Sequence, residues 1–231
     1  MNRYFVFFLV AFSGVLLSCS SAQDQPVTVT TGHESYQVRW LYREPFDENW
    51  KDQWTAEGDS LTVATEDGKL LVDDYKGATI WHTDEYPENL LVRFKVKGVE
   101  REGNKTNFNL ITHATETDGS PLVIGEKSGR DGKYKQYHIF PNYLATFVYK
   151  WTRLRKDPGF NLLSERENSS TIETVYDIVL TVHKGVLRYY INGEKLHEVT
   201  DTNPLPGGKV GLRTWDTKAY WYDVEIGEII D

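Results

Sequence analysis

The stretch VLRYYINGEKLHEV, Val186–Val199, carries the clearest structural signal of the sequence. Asn192 and Gly193 separate two segments in which apolar and polar residues alternate. A two-residue turn between paired strands needs positive φ at both central positions, and Asn and Gly adopt such a φ most readily. The stretch therefore predicts a tight antiparallel hairpin.

Segments of period two recur on both sides of this hairpin, with turns rich in Gly, Asn and Pro between them. We expect strands at Ser60–Thr65, Lys69–Asp73, Ala78–Ile80, Leu90–Lys97, Asn107–Thr112, Tyr176–Val182, Lys209–Arg213 and Ala219–Ile226. No segment keeps a helical period for more than about two turns. This pattern predicts an all-β fold, an antiparallel β-sandwich of the jelly-roll type.

The N-terminus has the features of a secretion signal. Arg3 precedes an apolar run from Phe5 to Leu17, which is too short to span a bilayer. The sequence Leu16-Leu17-Ser18-Cys19 resembles the lipobox of bacterial lipoproteins, and Cys19 is the only cysteine. We expect a signal peptide at 1–18 and lipidation of Cys19, which would anchor the exported protein to the bacterial cell envelope. The alternative is an ordinary cleaved signal with an incidental cysteine.

Residues 19–36 are rich in Ser, Thr, Gln and Val, and we expect them to form a tether. Residues 37–231 are then enough for one domain with one core. The formal net charge of −8 argues against nucleic acid as a partner and against membrane contact other than through the anchor. An acidic sugar would need a local cluster of Lys and Arg.

Such a cluster lies at 145–155. If this segment is one strand, alternate side chains share a face. These side chains are Ala145, Phe147, Tyr149, Trp151, Arg153 and Arg155. Aromatic rings stack on the C–H faces of sugars, and Arg binds carboxylate or sulfate in bidentate fashion, so the row predicts a sugar groove. The alternative is an Arg and aromatic stack on a solvated face.

Two further sets of residues are candidates for the same groove. Gln136 and His138 are two residues apart, and His138 is a natural proton-transfer group because its ordinary pKa is near neutral. A structural role for His138 is the alternative. The second set alternates onto one face of a strand or follows a strand; it comprises Asn107, Asn109, Ile111, His113 and Trp81.

Several chemistries lack their motif in this sequence. It contains no Glu-x-Asp-x-x-Glu pattern of the kind that carries the carboxylate pair in sandwich glucanases, and no Gly-x-Ser-x-Gly elbow. It also contains no zinc-like His/Cys cluster and no phosphate loop. We therefore expect no cofactor and no catalytic metal, although a structural Ca²⁺ ion would be compatible with a jelly roll.

The motifs resemble a known group of families. RLRKDPGFNLLSE (153–165), YDIVLTVHKGVLRYYINGEKL (176–196) and GGKVGLRTW with AYWYDVEI (207–226) are similar to the YesU-type, DUF1961/DUF6250-like proteins. The resemblance covers roughly residues 40–230. It implies a galectin- or concanavalin A-like jelly roll associated with the utilisation of pectin and other acidic polysaccharides. The positions that carry it are Tyr137, His138, Asn142, Arg155, Lys156, Gly159 and Phe160. Gln136-Tyr137-His138 also resembles a strand of jelly-roll alginate lyases.

From these residues and this resemblance we expect a carbon–oxygen lyase or dehydratase that performs β-elimination on uronate-containing oligosaccharides. Neutralising the substrate carboxylate would make the C5 proton acidic. Arg153 and Arg155, with Gln136 or Asn142, would neutralise it. His138 would be the base and Tyr149 or Tyr143 the acid, or these roles would be reversed. His113 is the next candidate base, and the expected substrate-binding set is Gln136, Asn142, Tyr143, Trp151, Arg153, Arg155, Lys156, Trp81 and Asn109.

Two alternatives stay open. One is a glycoside hydrolase with carboxylates scattered over loops, which would need two Asp or Glu side chains on the binding face. The other is a non-catalytic surface sugar-binding lipoprotein, in which His138 would be salt-bridged or turned into the core.

Overall fold

Strands make up almost all of the regular structure. The computed structural model describes residues 25–43, 45–103 and 105–230. The strands are β1 Val27–Thr31, β2 Glu34–Tyr42, β3 Trp54–Glu57, β4 Leu61–Glu66, β5 Lys69–Asp74, β6 Ala78–His82, β7 Leu90–Gly98, β8 Asn107–Ala114, β9 Asn142–Val148, β10 Trp151–Asp157, β11 Asn161–Glu167, β12 Val175–His183, β13 Val186–Ile191, β14 Glu194–Thr200, β15 Lys209–Thr214 and β16 Lys218–Ile230. Short 3₁₀ helices lie at Trp50–Asp52, Gly125–Ser128 and Tyr134–Tyr137. Within these ranges no helix is both long and apolar enough to cross a membrane.

The strands form two antiparallel sheets. Sheet A has the order β1-β2-β16-β7-β12-β13-β14, and the β4–β5 hairpin joins it through β16. Sheet B has the order β11-β10-β9-β8-β15-β6-β3. The predicted Asn-Gly hairpin is present, with Ile191 paired to Glu194. The predicted antiparallel β-sandwich is therefore confirmed.

The inner faces of the two sheets make one core. Every second residue of β7, including Phe94, points inward and is buried. Trp221 of β16 bridges the sheets, with its ring 5.1 Å from Phe94 and 6.1 Å from Phe108 between centroids. Burial of each such side chain contributes about 1.5–3 kcal/mol to folding. Because alternate residues of each strand point into this core, apolar residues recur with a period of two along the sequence.

Residues 27–36, which we expected in the tether, are strands instead. β1 pairs with β2, and β2 pairs with the C-terminal half of β16. Tyr36 and Val38 then pack with Leu91 and Tyr190 in a second apolar cluster on the outer side of sheet A. The alternation Tyr36, Val38, Trp40 gives the physical reason, since one face of this segment is apolar. The predicted signal peptide and Cys19 lie outside the described residues.

The segment 115–141 between β8 and β9 covers part of the outer face of sheet B. Its residues Tyr137 and Phe140 pack against Trp81, which is fully buried. A Cβ atom at Gly211 would lie 2.6 Å from the Trp81 ring, so only glycine lets the indole lie flat on β15. The cover also buries Ile111 of β8 and Leu144 of β9, whereas Trp151 and Arg153 of β10 stay partly exposed on this face.

Glu57 of β3 holds this segment in place. Its carboxylate accepts hydrogen bonds from the Arg130 Nε and Nη2, at 3.0 and 2.8 Å. It also accepts from the Tyr137 hydroxyl at 3.0 Å and from the Gly125 N–H at 3.0 Å. A buried carboxylate with this many donors is fully compensated, so Glu57 fixes the position of the segment.

Candidate functional site

The segment 145–155 is a hairpin and not the single strand that we predicted. β9 and β10 meet at a turn formed by Tyr149 and Lys150, and Arg153 pairs with Thr146. Phe147 and Ala145 therefore point into the core, whereas Arg153 and Arg155 point to the outer face of sheet B. The predicted six-residue row is wrong, because the turn reverses the chain in its middle. Trp151, Arg153 and Arg155 remain on one face, and Tyr149 is half-exposed in the turn.

Arg155 is the most unusual side chain on this face. The residue is only 9 % exposed, yet its guanidinium has no hydrogen bond or ion pair with any residue that the structure describes. None of its nitrogens is fully buried without a partner, so the guanidinium keeps some contact with solvent, and its position on the outer face of sheet B is called the recess. An unpaired buried charge is unfavourable, and a planar anion would satisfy the guanidinium with two parallel hydrogen bonds. Among the described residues, Arg155 thus places an unpaired guanidinium on this face of sheet B.

Arg153 lies two residues from Arg155 on the same face. Its Nε pairs with Glu165 of β11, and its guanidinium carbon lies 3.3 Å from the centroid of the Trp151 ring. The stack and the ion pair together fix the orientation of both side chains. Arg153 and Trp151 therefore form one wall beside the recess.

His138 and Asp157 form a buried pair on the other side. His138 Nδ1 lies 2.8 Å from Asp157 Oδ2, and both side chains are fully buried. The Phe160 ring stacks on the imidazole at 3.8 Å between centroids, and Tyr134 meets its edge at 4.4 Å. His138 Nε2 is buried and has no hydrogen-bond partner within the described part of the chain. In this arrangement His138 does not reach a ligand, because it follows the 3₁₀ helix at Tyr134–Tyr137 rather than lying on an open strand.

Two polar residues line the strands next to the recess. Asn109 of β8 donates to Asn107 Oδ1 at 2.8 Å and to the backbone oxygen of Arg213. Thr146 of β9 pairs in register with both Asn109 and Arg153, and its hydroxyl is buried with no partner among the residues that the structure describes. Asn109 was expected on this face. Thr146, Tyr134 and Asp157 were not singled out, since their positions depend on the hairpin and on the loops around it, and Phe160 was named only as a position of the family resemblance.

Three residues that we predicted to bind substrate are buried away from the recess. Trp81 lies under the segment 115–141. Asn142 donates to the backbone oxygens of Tyr137 and Phe140 and is fully buried. Tyr143 points into the core, where its hydroxyl donates to Asp201 at 2.7 Å and burial raises the pKa of its phenol. These three predictions are wrong because each side chain has a structural partner.

Three more predicted residues point elsewhere. His113 has a φ of 57°, which breaks the alternation of β8 and turns the ring toward Glu88, where Nε2 lies 2.9 Å from the backbone oxygen. Burial lowers the pKa of His113 to about 4. Gln136 accepts the N–H of Asp131 within the loop. Lys156 faces the other side of β10 and pairs with Asp201 at 2.7 Å.

Three carboxylates of this face are paired, whereas Glu167, opposite Trp151 in the register of β10 and β11, is exposed. Glu57 binds Arg130, Asp157 binds His138 and Glu165 binds Arg153. Across the described ranges, no group of three His, Cys, Asp or Glu side chains is placed to hold a metal ion. The site therefore offers hydrogen bonding, stacking and one unpaired positive charge.

Comparisons with known proteins add a family and a fold. A family model described as Domain of unknown function (DUF6250) matches residues 72–224, which include the recess. A curated protein named Beta-glucanase, from Brevibacillus brevis, is 26% identical over 180 residues, or 76% of this chain. The chain spans 63% of the length of that relative.

Solved structures share the architecture. A Bacillus subtilis protein of unknown function with a galectin-like fold superposes with a TM-score of 0.75 at 22% identity, covering 84% of this chain and 99% of the other. The carbohydrate binding module CBM66 from Bacillus subtilis gives 0.58 at 13% identity, with 76% and 96% covered. A Bacillus licheniformis beta-glucanase gives 0.55 at 11% identity, with 82% and 98% covered. At these identities the likeness shows the fold.

The comparisons overturn the expected enzyme class. A glucanase is a hydrolase, and the curated relative carries that name. Beta-glucanases are also among the structures that share the fold. The prediction of a carbon–oxygen lyase or dehydratase is therefore wrong. This outcome agrees with the geometry, because the expected base His138 and the expected acid Tyr143 are both enclosed.

Proposed function

The chain belongs to the DUF6250 family, and we propose that it is a carbohydrate-active protein that binds an acidic polysaccharide on the outer face of sheet B. The observation that carries the proposal is Arg155, a residue that is only 9 % exposed and whose guanidinium is unpaired among the described residues. A carboxylate or sulfate of a sugar would complete its hydrogen bonds in bidentate geometry.

The surroundings of Arg155 suit a sugar ring. Trp151, held by Arg153, and the half-exposed rings of Tyr134 and Phe160 offer apolar faces on both sides of the recess. Aromatic rings combine a large apolar area with low conformational freedom, which makes them effective contacts for the C–H faces of sugars. The Asn107 amide is available for sugar hydroxyls. Binding by a few polar groups among apolar rings is typical of small-molecule sites.

The comparisons support recognition of carbohydrate. The names of the relatives include a carbohydrate binding module and beta-glucanases. The buried His138–Asp157 pair argues against His138 as a proton-transfer group, and this is the state of His138 that a non-catalytic sugar-binding protein would show.

Glycoside hydrolysis is the second candidate, favoured by the beta-glucanase relative. It needs two carboxyl groups placed on opposite sides of one glycosidic bond. Asp157 of β10 and Glu165 of β11 are the carboxylates nearest to Arg155 along these strands. Asp157 is enclosed by His138 and Phe160, so hydrolysis would require the Phe160 ring to move first.

One experiment separates these candidates. The purified protein is tested against polygalacturonate, alginate and a neutral β-glucan, by affinity electrophoresis for binding and by release of reducing ends for hydrolysis. We expect retardation by an acidic polymer, weakened by added salt because the contact is ionic. Binding of the neutral glucan alone would contradict the proposal. Release of reducing ends that disappears in Asp157→Asn and Glu165→Gln would establish the hydrolase.

We also propose that the protein is exported and lipid-anchored through Cys19, on the basis of Leu16-Leu17-Ser18-Cys19. Mass spectrometry of the mature protein is expected to show an acylated Cys19 as the first residue, and Cys19→Ala is expected to abolish detergent partitioning. An unmodified Cys19 within the mature chain would disprove the anchor.

A further inference from the structure

Several aromatic side chains are exposed at one end of sheet B. Trp215, directly after β15, is 48 % exposed, and Tyr149, in the turn between β9 and β10, is 40 % exposed. Tyr75 follows β5 and is 62 % exposed. With Trp151 these residues are called the aromatic rim. Exposed apolar patches on a folded domain often mark interaction sites.

Strand register brings the rim together. Thr214 of β15 pairs with Phe108 of β8, which pairs with Phe147 of β9. Trp215 and Tyr149 therefore flank the start of β8. Since neighbouring strands are about 4.8 Å apart, the two residues are separated by about 10 Å, with one strand between them.

Cations accompany the rim. Lys105, just before β8, has its Nζ 5.0 Å from the centroid of Tyr149, and Lys150 lies at 5.4 Å. The Arg101 guanidinium lies 3.9 Å from the Tyr75 ring, where it also binds Asp73 and Asp216. The charge of Arg101 is therefore balanced by these two carboxylates, whereas Lys105 and Lys150 place positive charge beside Tyr149, where it complements an anionic sugar chain.

The rim is continuous with the recess around Arg155. Trp151 belongs to the rim, and the Arg153 guanidinium that stacks on it is two residues from Arg155 on the same face. From β10 across β9 and β8 to β15 is three strand spacings, or about 14 Å. This distance is longer than one sugar ring.

We infer that the aromatic rim is an extension of the Arg155 site, and that the ligand is an extended acidic polysaccharide chain rather than a short oligosaccharide. The inference rests on the proposed function. One sugar places its anionic group on Arg155, and neighbouring sugars stack on Trp151, Tyr149 and Trp215. Each stacked ring adds apolar contact, while Lys105 and Lys150 attract further anionic groups.

The test compares chain lengths. Affinities of trimeric and decameric oligogalacturonate are measured by calorimetry for the wild-type protein, for the Trp215→Ala and Tyr149→Ala double variant, and for Tyr222→Ala. Tyr222 is a matched control because it is an aromatic residue of β16 that pairs on sheet A. We expect the wild type and Tyr222→Ala to bind the decamer about tenfold more tightly than the trimer, a difference of about 1.4 kcal/mol.

In the double variant we expect the two affinities to become similar, with that of the trimer unchanged. Equal affinities of the wild type for both lengths, or an unchanged preference in the double variant, would overturn the inference and leave the Arg155 site standing. An absence of binding to either length would overturn the proposed function itself. Melting temperatures show whether the variants are folded.

Discussion

At the residue scale, the buried pair of His138 and Asp157 contributes to the stability of the fold. Both side chains are fully buried, and Phe160 covers the imidazole. Removal of one partner from a buried pair leaves the other uncompensated, at a cost of about 3–5 kcal/mol. We expect His138→Ala to lower the free energy of unfolding by this amount, measured by urea denaturation.

The control for this prediction is the pair Arg153 and Glu165, of which Glu165 is largely exposed. Exposed ion pairs contribute about 0–1 kcal/mol, so Glu165→Gln is expected to leave stability nearly unchanged. If His138→Ala were as stable as Glu165→Gln, the structural role of His138 would be wrong.

The residues of the site were only partly predictable. Arg153, Arg155, Trp151 and Asn109 lie on the outer face of sheet B, as the period of their segments indicated. Trp81, Asn142, Tyr143 and His113 were also polar or aromatic residues in strands, yet each is buried. Nothing in a single sequence reports that a distant loop will cover a strand, which is what happens to Trp81. The roles of the exposed residues stay predictions.

At the element scale, the segment 115–141 decides how much of sheet B is open. Glu57 is its main attachment, through Arg130, Tyr137 and Gly125. Glu57→Ala would leave the Arg130 guanidinium without its carboxylate and would free the segment. We expect faster proteolysis within 115–141, detected by mass spectrometry of the fragments, and a stability loss of several kcal/mol.

A matched control is Glu116→Ala, within the same segment, where one side-chain oxygen accepts only the Val123 N–H. Its cleavage rate is expected to stay close to that of the wild type. Equal protection of the segment in Glu57→Ala would show that apolar packing on Trp81 is sufficient to hold it.

Two elements differ from the sequence-based expectation for identifiable reasons. The turn at Tyr149 and Lys150 contains no Gly, Asn or Pro, so the β9–β10 hairpin was predicted as one strand. The β1–β2 hairpin was predicted as a tether because Ser and Thr dominate its composition. In contrast, Asn192-Gly193 marks its hairpin directly, since both residues have positive φ.

At the scale of the whole molecule, buried histidines make stability depend on pH. Burial lowers the pKa of His82 and of His113 to about 4, below the ordinary value of 6.5. Between these pH values the unfolded chain binds protons that the folded chain excludes, so stability is full above pH 6.5 and is lost as pH falls toward 4. Each histidine contributes on the order of 3 kcal/mol to this loss.

The measurement is the free energy of unfolding at neutral and at mildly acidic pH. His113→Gln removes one titrating group, so its stability is expected to fall less steeply with pH than that of the wild type. Identical slopes in the two proteins would show that His113 does not titrate in this range.

The sandwich as a whole was predictable because period two and turn residues are local signals. The order of strands within each sheet was not predictable, because it depends on contacts between distant segments. The C-terminal strand β16, for example, pairs with β2, β5 and β7. The recess depends on that order: it combines β10 with the loop that carries Tyr134 and His138.

We propose that Arg155 binds the anionic group of a polysaccharide, and the affinity of the protein for polygalacturonate is the decisive measurement. Arg155→Gln is compared with Arg39→Gln, a control on sheet A where Arg39 pairs with Glu228. We expect Arg155→Gln to bind polygalacturonate at least tenfold more weakly than the wild type. Its melting temperature should be unchanged, because no described partner is lost. Arg39→Gln should bind like the wild type. Equal affinities of all three proteins would show that Arg155 does not bind the anionic group.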